Sequence, residues 1–431
     1  MMEKPLTALL QPDGMPLDIT GYERAGGYQP LRKALGMTPD AIIGEVKRSR
    51  LRGRGGGGFS TGRKWEAVPQ AADPPLQRYL IVNADEMEPG SFKDRLLLEQ
   101  TPHQMIEAVI ISAFAIQASI AYIFVRAEYV LALDRLARAL AEAQARNYVG
   151  TDILGSGFAL TIHVHASGGR YICGESSALL TALEGRRPIP RSRPPRSAQS
   201  GLWGKPSVVN NVETLCNVPH IIERGADWFL GLSRSEDGGT KLYGLSGRVR
   251  RPGLWELPLG TKFNEILEEH AGGMQDGYEC RAVLPGGASS AFLMAENFDV
   301  AMDFTAVQKV GSALGTGNII ALDNRRCPVG MLRNLEHFFA QESCGWCTPC
   351  RDGLPWVERI LAALEAGEGE PEDLDTLTRH VSFLGPDCTF CDLAPGAMQP
   401  LGSGLKHFRA EFEQHISQKR CPWHDSAGGW A

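Results

Sequence analysis

The sequence predicts an α/β domain followed by a smaller strand-rich unit and a C-terminal all-α region. Three observations carry this. Short β-rich apolar runs alternate with helical periodicity between residues 79 and 165. From about residue 240 to 325 the strands come closer together, and after Pro328 only helical patterns remain.

Residues 1–40 read as irregular and polar, with Gly, Pro and Tyr in GYERAGGYQP, which suits a segment wrapped over a neighbouring domain. A helical pattern follows at Ile42, Ile43, Val46 and Leu51, and then the densest glycine run, Gly53 to Gly58. Strands are expected at Tyr79–Asn83, Tyr122–Val125 and Ala159–His165, with helices over 102–118 and 128–146. Residues 186–206, rich in Arg, Pro, Ser and Gly, read as an ordered extended loop or a linker. KLYGLSGRV, GLWELPLG, TKFNEILEEHAGG and CRAVLPGG make a strand–strand–helix–strand unit resembling a small β-grasp domain. Beyond it, helices are expected over 330–343, 354–366, 371–384 and about 396–416. The domain boundaries expected are therefore 1–40 (N-terminal wrapping segment), 41–238 (α/β domain), 239–327 (β-grasp) and 328–431 (helical).

The composition is that of an ordinary globular protein, with 43% hydrophobic and 22% charged residues, so the core needs no staples. A net charge of −6 gives no reason to expect nucleic acid or an anionic membrane as partner. The best candidate for a membrane span, Met105 to Val125, contains Glu107 and Gln117 and ends in AYIFV. It reads as a buried helix followed by a strand, so any membrane association comes through partners. The N-terminus carries no long apolar stretch, so no export signal is expected. The ten cysteines are then metal ligands or buried thiols rather than disulfides.

Cys344, Cys347 and Cys350 form C-x-x-C-x-x-C, and a further thiol follows at Cys388 or Cys391. Three thiolates so close cannot all pair as disulfides, but a tight turn stiffened by Pro349 aims them all at one iron–sulfur cubane. Structural zinc also takes four thiolates, and a set of free thiols is the blandest alternative. Cys173, Cys216, Cys280, Cys327 and Cys421 are scattered and expected to be ordinary thiols.

Gly53, Gly55 and Gly58 satisfy G-x-G-x-x-G, but a helical pattern rather than a strand precedes them, which argues against a Rossmann fingerprint. Bare backbone amides there still admit a phosphate or a flat ring, with Arg54, Arg63 and Lys64 adding positive charge. The alternative is a flexible surface loop. Asn83, Asp85 and Glu86 close the strand YLIVN, with Glu88 just beyond. Strand ends of this kind place ligands in α/β sheets, and a turn cap is the competing reading. Tyr171, Cys173, Gly174 and Glu175 follow a Ser-Gly-Gly turn, and Asn210-Asn211 offer donors and acceptors together, as a flavin edge requires and as turns and helix caps also use. His163 and His165 share one strand face and are expected to pack or face solvent rather than ligate.

Taken together, GRGGGGFSTGRKW, NADEMEPGSFKDR, GRYICGES, VNNVETLCNVP, ESCGWCTPCRDG and FCDLAPGA resemble, in order, the flavoprotein subunit of bacterial complex I over roughly residues 25–416. The resemblance implies an α/β FMN-binding domain, a β-grasp domain of the soluble-ligand-binding (SLBB) type, and a C-terminal all-α [4Fe-4S] bundle. It implies that Gly53, Arg54, Gly55, Gly56 and Lys64 cradle FMN, and that Asn83, Asp85, Glu86, Tyr171, Gly174, Glu175, Asn210, Asn211 and Thr214 line the flavin site. Phe59 and Glu88 would contact the nicotinamide nucleotide, and Glu86 would tune the flavin by its charge; Glu86 and Glu88 are the two catalytic candidates. Cys344, Cys347, Cys350 and Cys391 would hold the cluster, Cys391 being chosen over Cys388 because the residues after it match the family.

The activity implied is NADH:quinone oxidoreduction, with NAD(H) as substrate. The implied partners are a thioredoxin-like [2Fe-2S] subunit, a larger iron–sulfur subunit and, indirectly, a quinone-reducing membrane complex. The implied location is the peripheral arm on the cytoplasmic face of the inner membrane. The same module serves as a diaphorase in NAD-linked hydrogenases and formate dehydrogenases, and a non-catalytic cluster-carrying scaffold is the reading from a different class.

Three positions depart from the family pattern. Ser176 stands where a second acid is usual, and Arg193-Pro-Pro-Arg196 replaces Lys-Pro-Pro-Phe. An acid there favours free ribose hydroxyls and repels a 2′-phosphate, so its loss and the gain of Arg predict better use of NADP(H) than is normal for the family.

Overall fold

A computed structural model describes residues 3–69 and 76–423. The chain forms two compact units: Met1–Met87 with Phe92–Tyr243 and Trp255–Thr261, and Glu88–Ser91 with Gly244–Leu254 and Lys262–Ala431.

The first unit is built on four parallel strands in the order β3-β2-β1-β4. These are β1 (Tyr79–Ala84), β2 (Ile120–Val125), β3 (Thr161–Ala166) and β4 (Ser207–Asn211). The three expected strands are present, each within two residues of its predicted start; β4 carries the Asn-Asn pair. Leu80, Ile81 and Val82 have no exposed surface, as a central parallel strand covered on both faces requires. Tyr79, Ile81, Phe124 and Val209 pack with Leu179 and Leu180 of the helix Ser176–Leu183. Each such side chain contributes roughly 1.5–3 kcal/mol by leaving water.

The helix Pro102–Ala115 is buried nearly all round, so the apolar run from Met105 is a core helix and then β2. Among the described residues no helix is long and apolar enough to cross a membrane. His163 and His165 stack on Tyr122 and Phe124, their register partners across β2 and β3.

The N-terminal segment is more regular than expected. It contains the helices Ile19–Arg24 and Gln29–Leu35, because Tyr22, Tyr28 and Leu31 supply a buried face the polar composition concealed. Tyr22 Oη donates to Glu107 at 2.6 Å and the Leu31 amide at 3.0 Å, so the segment is tied to the long core helix. Its first residues donate to the Glu256 carboxylate from the Leu6 and Thr7 amides.

The second sheet has the order β6-β5-β9-β7-β8, with β5 (Thr240–Ser246), β6 (Gly253–Pro258), β7 (Cys280–Leu284), β8 (Leu293–Met294) and β9 (Asn318–Asp323). The strand–strand–helix–strand reading is extended here by β8 and β9, and β9 runs parallel to β5 and antiparallel to β7. Helices Pro328–Glu342, Thr348–Ala366, Pro371–Phe383, Leu393–His407 and Arg409–Gln418 follow. The single helix expected over 396–416 is two, broken at Phe408, whose φ of −119° and ψ of 25° leave the helical region.

Candidate functional site

The glycine loop stands on the helix Pro39–Arg48 and leads into the helix Thr61–Glu66, which Ser60 caps. No strand precedes it, as the sequence led one to expect. Gly55 packs on Asn211: an added Cβ would stand 2.8 Å from the Asn211 Cβ. On Gly56 and Gly57 a Cβ would meet nothing within 4 Å, and Gly56 has φ +128°. One side of the loop is thus pressed against the end of β4 while the other side is open bare backbone. Phe59 beside it is 53% exposed, a large apolar face left in solvent.

Parallel pairing places Asn83 of β1 opposite Asn211 of β4, both at the carboxyl end of the sheet. Asn83 Nδ2 donates to the Gly174 carbonyl at 2.9 Å, and Asn83 Oδ1 accepts from the Asp85 amide. Ser167 Oγ donates to Asp85 at 2.8 Å. Tyr171 and Gly174 lie in the short 3₁₀ turn Tyr171–Gly174, and Glu175 caps the next helix by accepting from the Ser177 and Ala178 amides. Arg193 Nη2 reaches Glu175 Oε1 at 2.5 Å. Ser176 is half-buried and Arg196 exposed. The loop 186–206 is ordered: Arg191 is held by Ser177 Oγ, Thr181 Oγ1 and the Gly201 carbonyl.

Lys64 donates to the Val209 carbonyl at 3.0 Å. Burial, joined by the charge of Arg193, lowers its ammonium to about 8. Arg54 behaves otherwise. Its guanidinium has no exposed surface and donates to the carbonyls of Gly238 and Thr240, while its amide donates to Thr214 Oγ1. Arg54 and Thr214 therefore brace the loop from beneath. Asn210 is likewise internal, with Oδ1 accepting from Trp65 Nε1 at 2.9 Å.

Glu86 accepts from the amides of Lys93, Asp94 and Arg95 and from Tyr129 Oη, so it is a fixed charge at the N-terminus of the helix Lys93–Gln100. Glu88 belongs by its contacts to the second unit, where it accepts from Ser289 N at 2.6 Å and Ser289 Oγ at 3.0 Å.

Sequence reasoning did not single out the buried ion network beneath these residues. Lys93 Nζ lies 2.7 Å from Asp94 and 3.0 Å from Glu213, and Lys241 Nζ lies 3.1 Å from Glu213. Asn211 Nδ2 donates to Asp94 at 2.6 Å, which joins the network to the end of β4. Burial would push the Glu213 carboxyl up, but Lys241 and Lys93 outweigh it and hold it below its usual range. The signal was the Lys-Asp pair inside NADEMEPGSFKDR.

In the second unit, Cys347 caps the helix Thr348–Ala366 and Cys350 lies in its first turn. Ser343 Oγ is 3.2 Å from Cys350 Sγ, and Gly345 turns the chain with φ +73°. Burial, opposed by Ser343 and reinforced by the thiols of Cys347 and Cys344, pushes Cys350 up to about 11. Trp346 and Phe390, each just before a predicted ligand, meet edge to face at 6.4 Å. That contact brings the Cys347 turn and the Cys391 turn face to face. Cys388 is exposed and directed at the Ser382 carbonyl.

The observed geometry fits both groups the resemblance implied. The open face at Gly56 and Gly57, where an added Cβ would meet nothing within 4 Å, leaves bare backbone for a flat ring and a phosphate. The second unit offers soft sulfur donors on two facing turns, with the Cys350 sulfur buried. Chains that unite these two features are iron–sulfur flavoproteins, in which electrons pass between a flavin and a cluster.

Comparison with known proteins narrows the class. A family model described as the Nuo51 FMN-binding domain matches residues 46–220, an SLBB domain matches 242–289, and the NADH-ubiquinone oxidoreductase-F iron-sulfur binding region matches 330–415. The F subunit of the NADH-quinone oxidoreductase of Salmonella typhimurium is 54% identical over 96% of this chain and 93% of its own length, and that of Escherichia coli gives the same figures. A chain of an NAD+-reducing [NiFe]-hydrogenase in the H2-reduced state superposes with a TM-score of 0.82 at 33% identity, covering 98% of this chain and 68% of that one. The chain belongs to the family of NADH-quinone oxidoreductase F subunits. Its cofactors are FMN and a [4Fe-4S] cluster, and its substrate is NADH.

Proposed function

We propose that this chain is the electron-input subunit of an NADH:quinone oxidoreductase, and that the two constellations above are its working parts. The observation that carries the reading is their presence in one chain: a glycine loop open on one face at the carboxyl end of a parallel sheet, and four cysteines on two facing turns. When bound, FMN accepts two electrons as hydride and releases them singly, while the cluster accepts one at a time.

The residues supply binding and electrostatics. Backbone amides of Gly55, Gly56 and Gly57 and the Lys64 ammonium hold the phosphate. Asn83, Asp85, Tyr171 and Gly174 form the polar rim, and Asn211 fixes the loop's inner side. Phe59 offers an exposed ring for the nicotinamide nucleotide, with Glu175 and Ser176 near the ribose. Glu86 is a held negative charge and Glu88 a nucleotide contact; neither is required to move a proton. Cys344, Cys347, Cys350 and Cys391 ligate the cluster.

The partners proposed are a thioredoxin-like [2Fe-2S] subunit and a larger iron–sulfur subunit, in the peripheral arm on the cytoplasmic face of the membrane. The hydrogenase likeness supports a second reading, a diaphorase module, but the identity to it is lower than to the NADH-quinone oxidoreductase relatives.

The test is the visible spectrum of anaerobically purified protein before and after NADH. A flavin spectrum over a broad cluster absorbance, bleached by NADH, is expected. A colourless protein holding zinc in the four-cysteine site would overturn the reading.

A further inference from the structure

Cys327 and Cys421, expected to be unrelated thiols, meet at one point with His415. Their two Sγ atoms and a His415 ring nitrogen all lie within 4.8 Å of one another, the only such group of His, Cys, Asp or Glu among the described residues. Cys327 Sγ is 3.3 Å from His415 Nε2. A tetrahedral zinc, with Zn–S about 2.3 Å and Zn–N about 2.0 Å, holds its ligand atoms at such mutual distances.

The surroundings prepare each atom for a cation. Cys327 caps the helix Pro328–Glu342, and its Sγ accepts from the Gly330 amide at 3.3 Å, so a backbone donor fixes the position of the sulfur. His415 Nδ1 lies 2.7 Å from the Glu411 carbonyl, which can only accept; Nδ1 therefore carries the proton and Nε2 presents its lone pair toward Cys327. The ring stacks on Trp423 at 5.8 Å and 15°, which fixes its plane. Lys419 ends the last helix in the left-handed conformation, φ 49°, and its ammonium bonds Glu370 at 2.9 Å. That turn carries Cys421 back to the helices. His415 has no exposed surface and Cys421 has 2%.

We propose that Cys327, His415 and Cys421 form a second metal site, of Cys2His type, which binds one Zn2+ and staples the C-terminal segment to the helices Pro328–Glu342 and Arg409–Gln418. Two sulfurs and an imidazole select a borderline-soft cation and reject Mg2+ or Ca2+, which take oxygen. Binding releases the two thiol protons. Water completes the tetrahedron. His415 and Cys421 are buried away from solvent, so no substrate reaches the metal and its role is structural although only three protein ligands hold it.

The experiment uses the full chain, purified anaerobically with its flavin and cluster, and measures zinc, iron and FMN together before and after one equivalent of ZnCl2. One tightly held zinc per chain is expected, with two sulfur ligands by zinc K-edge spectroscopy. Cys421→Ser and, independently, His415→Gln should each weaken zinc retention against a chelator at least tenfold while iron and FMN stay at wild-type levels. Wild-type protein that keeps iron and FMN but neither contains nor takes up zinc overturns the proposal. So does zinc that survives both substitutions, or a Cys327–Cys421 disulfide mapped in the anaerobic protein. Because iron and FMN are read separately, failure here is distinct from failure of the electron-input reading.

Discussion

Arg193 and Glu175 form an ion pair at 2.5 Å, and the same carboxylate caps the helix Ser176–Leu183. The acid proposed above to lie near the ribose is thus partly neutralised, and its neighbour is Ser176 instead of a second acid. An anionic barrier against a 2′-phosphate is weakened on both counts. We predict kcat/KM for NADPH within about a hundredfold of that for NADH, since each 1.4 kcal/mol of discrimination is worth about tenfold. Arg193→Ala should lower the NADPH value about tenfold and leave NADH nearly unchanged. Steady-state ferricyanide reduction with each nucleotide decides it; a strong NADH preference in the wild type sinks the idea.

Lys64 titrates near 8, because burial and the nearby Arg193 disfavour its charge. A bound phosphate favours the ammonium, so the complex holds a proton the free site loses. Affinity of the apoprotein for FMN is therefore constant below about pH 8 and falls above it, by at most about tenfold per pH unit. Fluorescence titration on either side of that value should show the drop. Lys64→Met should bind FMN more weakly at neutral pH and lack the pH dependence.

The Trp346–Phe390 contact supports the proposal that Cys391 rather than Cys388 is the fourth ligand. Cys391→Ser should lose most of the cluster iron and its reduced-state EPR signal. Cys388→Ser should keep both. Equal iron loss in the two variants would contradict the assignment.

Glu213 answers two buried ammonium groups, Lys93 and Lys241. Glu213→Gln leaves them with less counter-charge and should cost roughly 3–5 kcal/mol of stability, read from the denaturant midpoint. Asp299→Asn, which breaks the exposed pair with Lys262, should leave that midpoint unchanged.

Strands β1 to β3, the core helices and the C-x-x-C-x-x-C turn were legible in residue order, whereas the N-terminal helices and β4 were not. Those signals are local: a β-rich run, a glycine cluster and a C-x-x-C-x-x-C turn are set by neighbours a few residues apart. The helical C-terminal region was legible too, although the pattern joined two helices that Phe408 separates. Long-range packing, by contrast, settled which side chains face which way. Arg54, read as a phosphate contact, is buried against carbonyls, because the loop must be braced from within. Glu86 is consumed by helix amides, and the adjacent Lys93 and Asp94 meet Glu213 and Lys241 beneath the site although more than a hundred residues separate them in the chain. Cys327 and Cys421 looked unrelated for the same reason: helix packing brings them to His415, and no spacing along the chain encodes a meeting of that range. Ligand chemistry is written in residue type, whereas a side chain's partners follow from which surfaces leave water together.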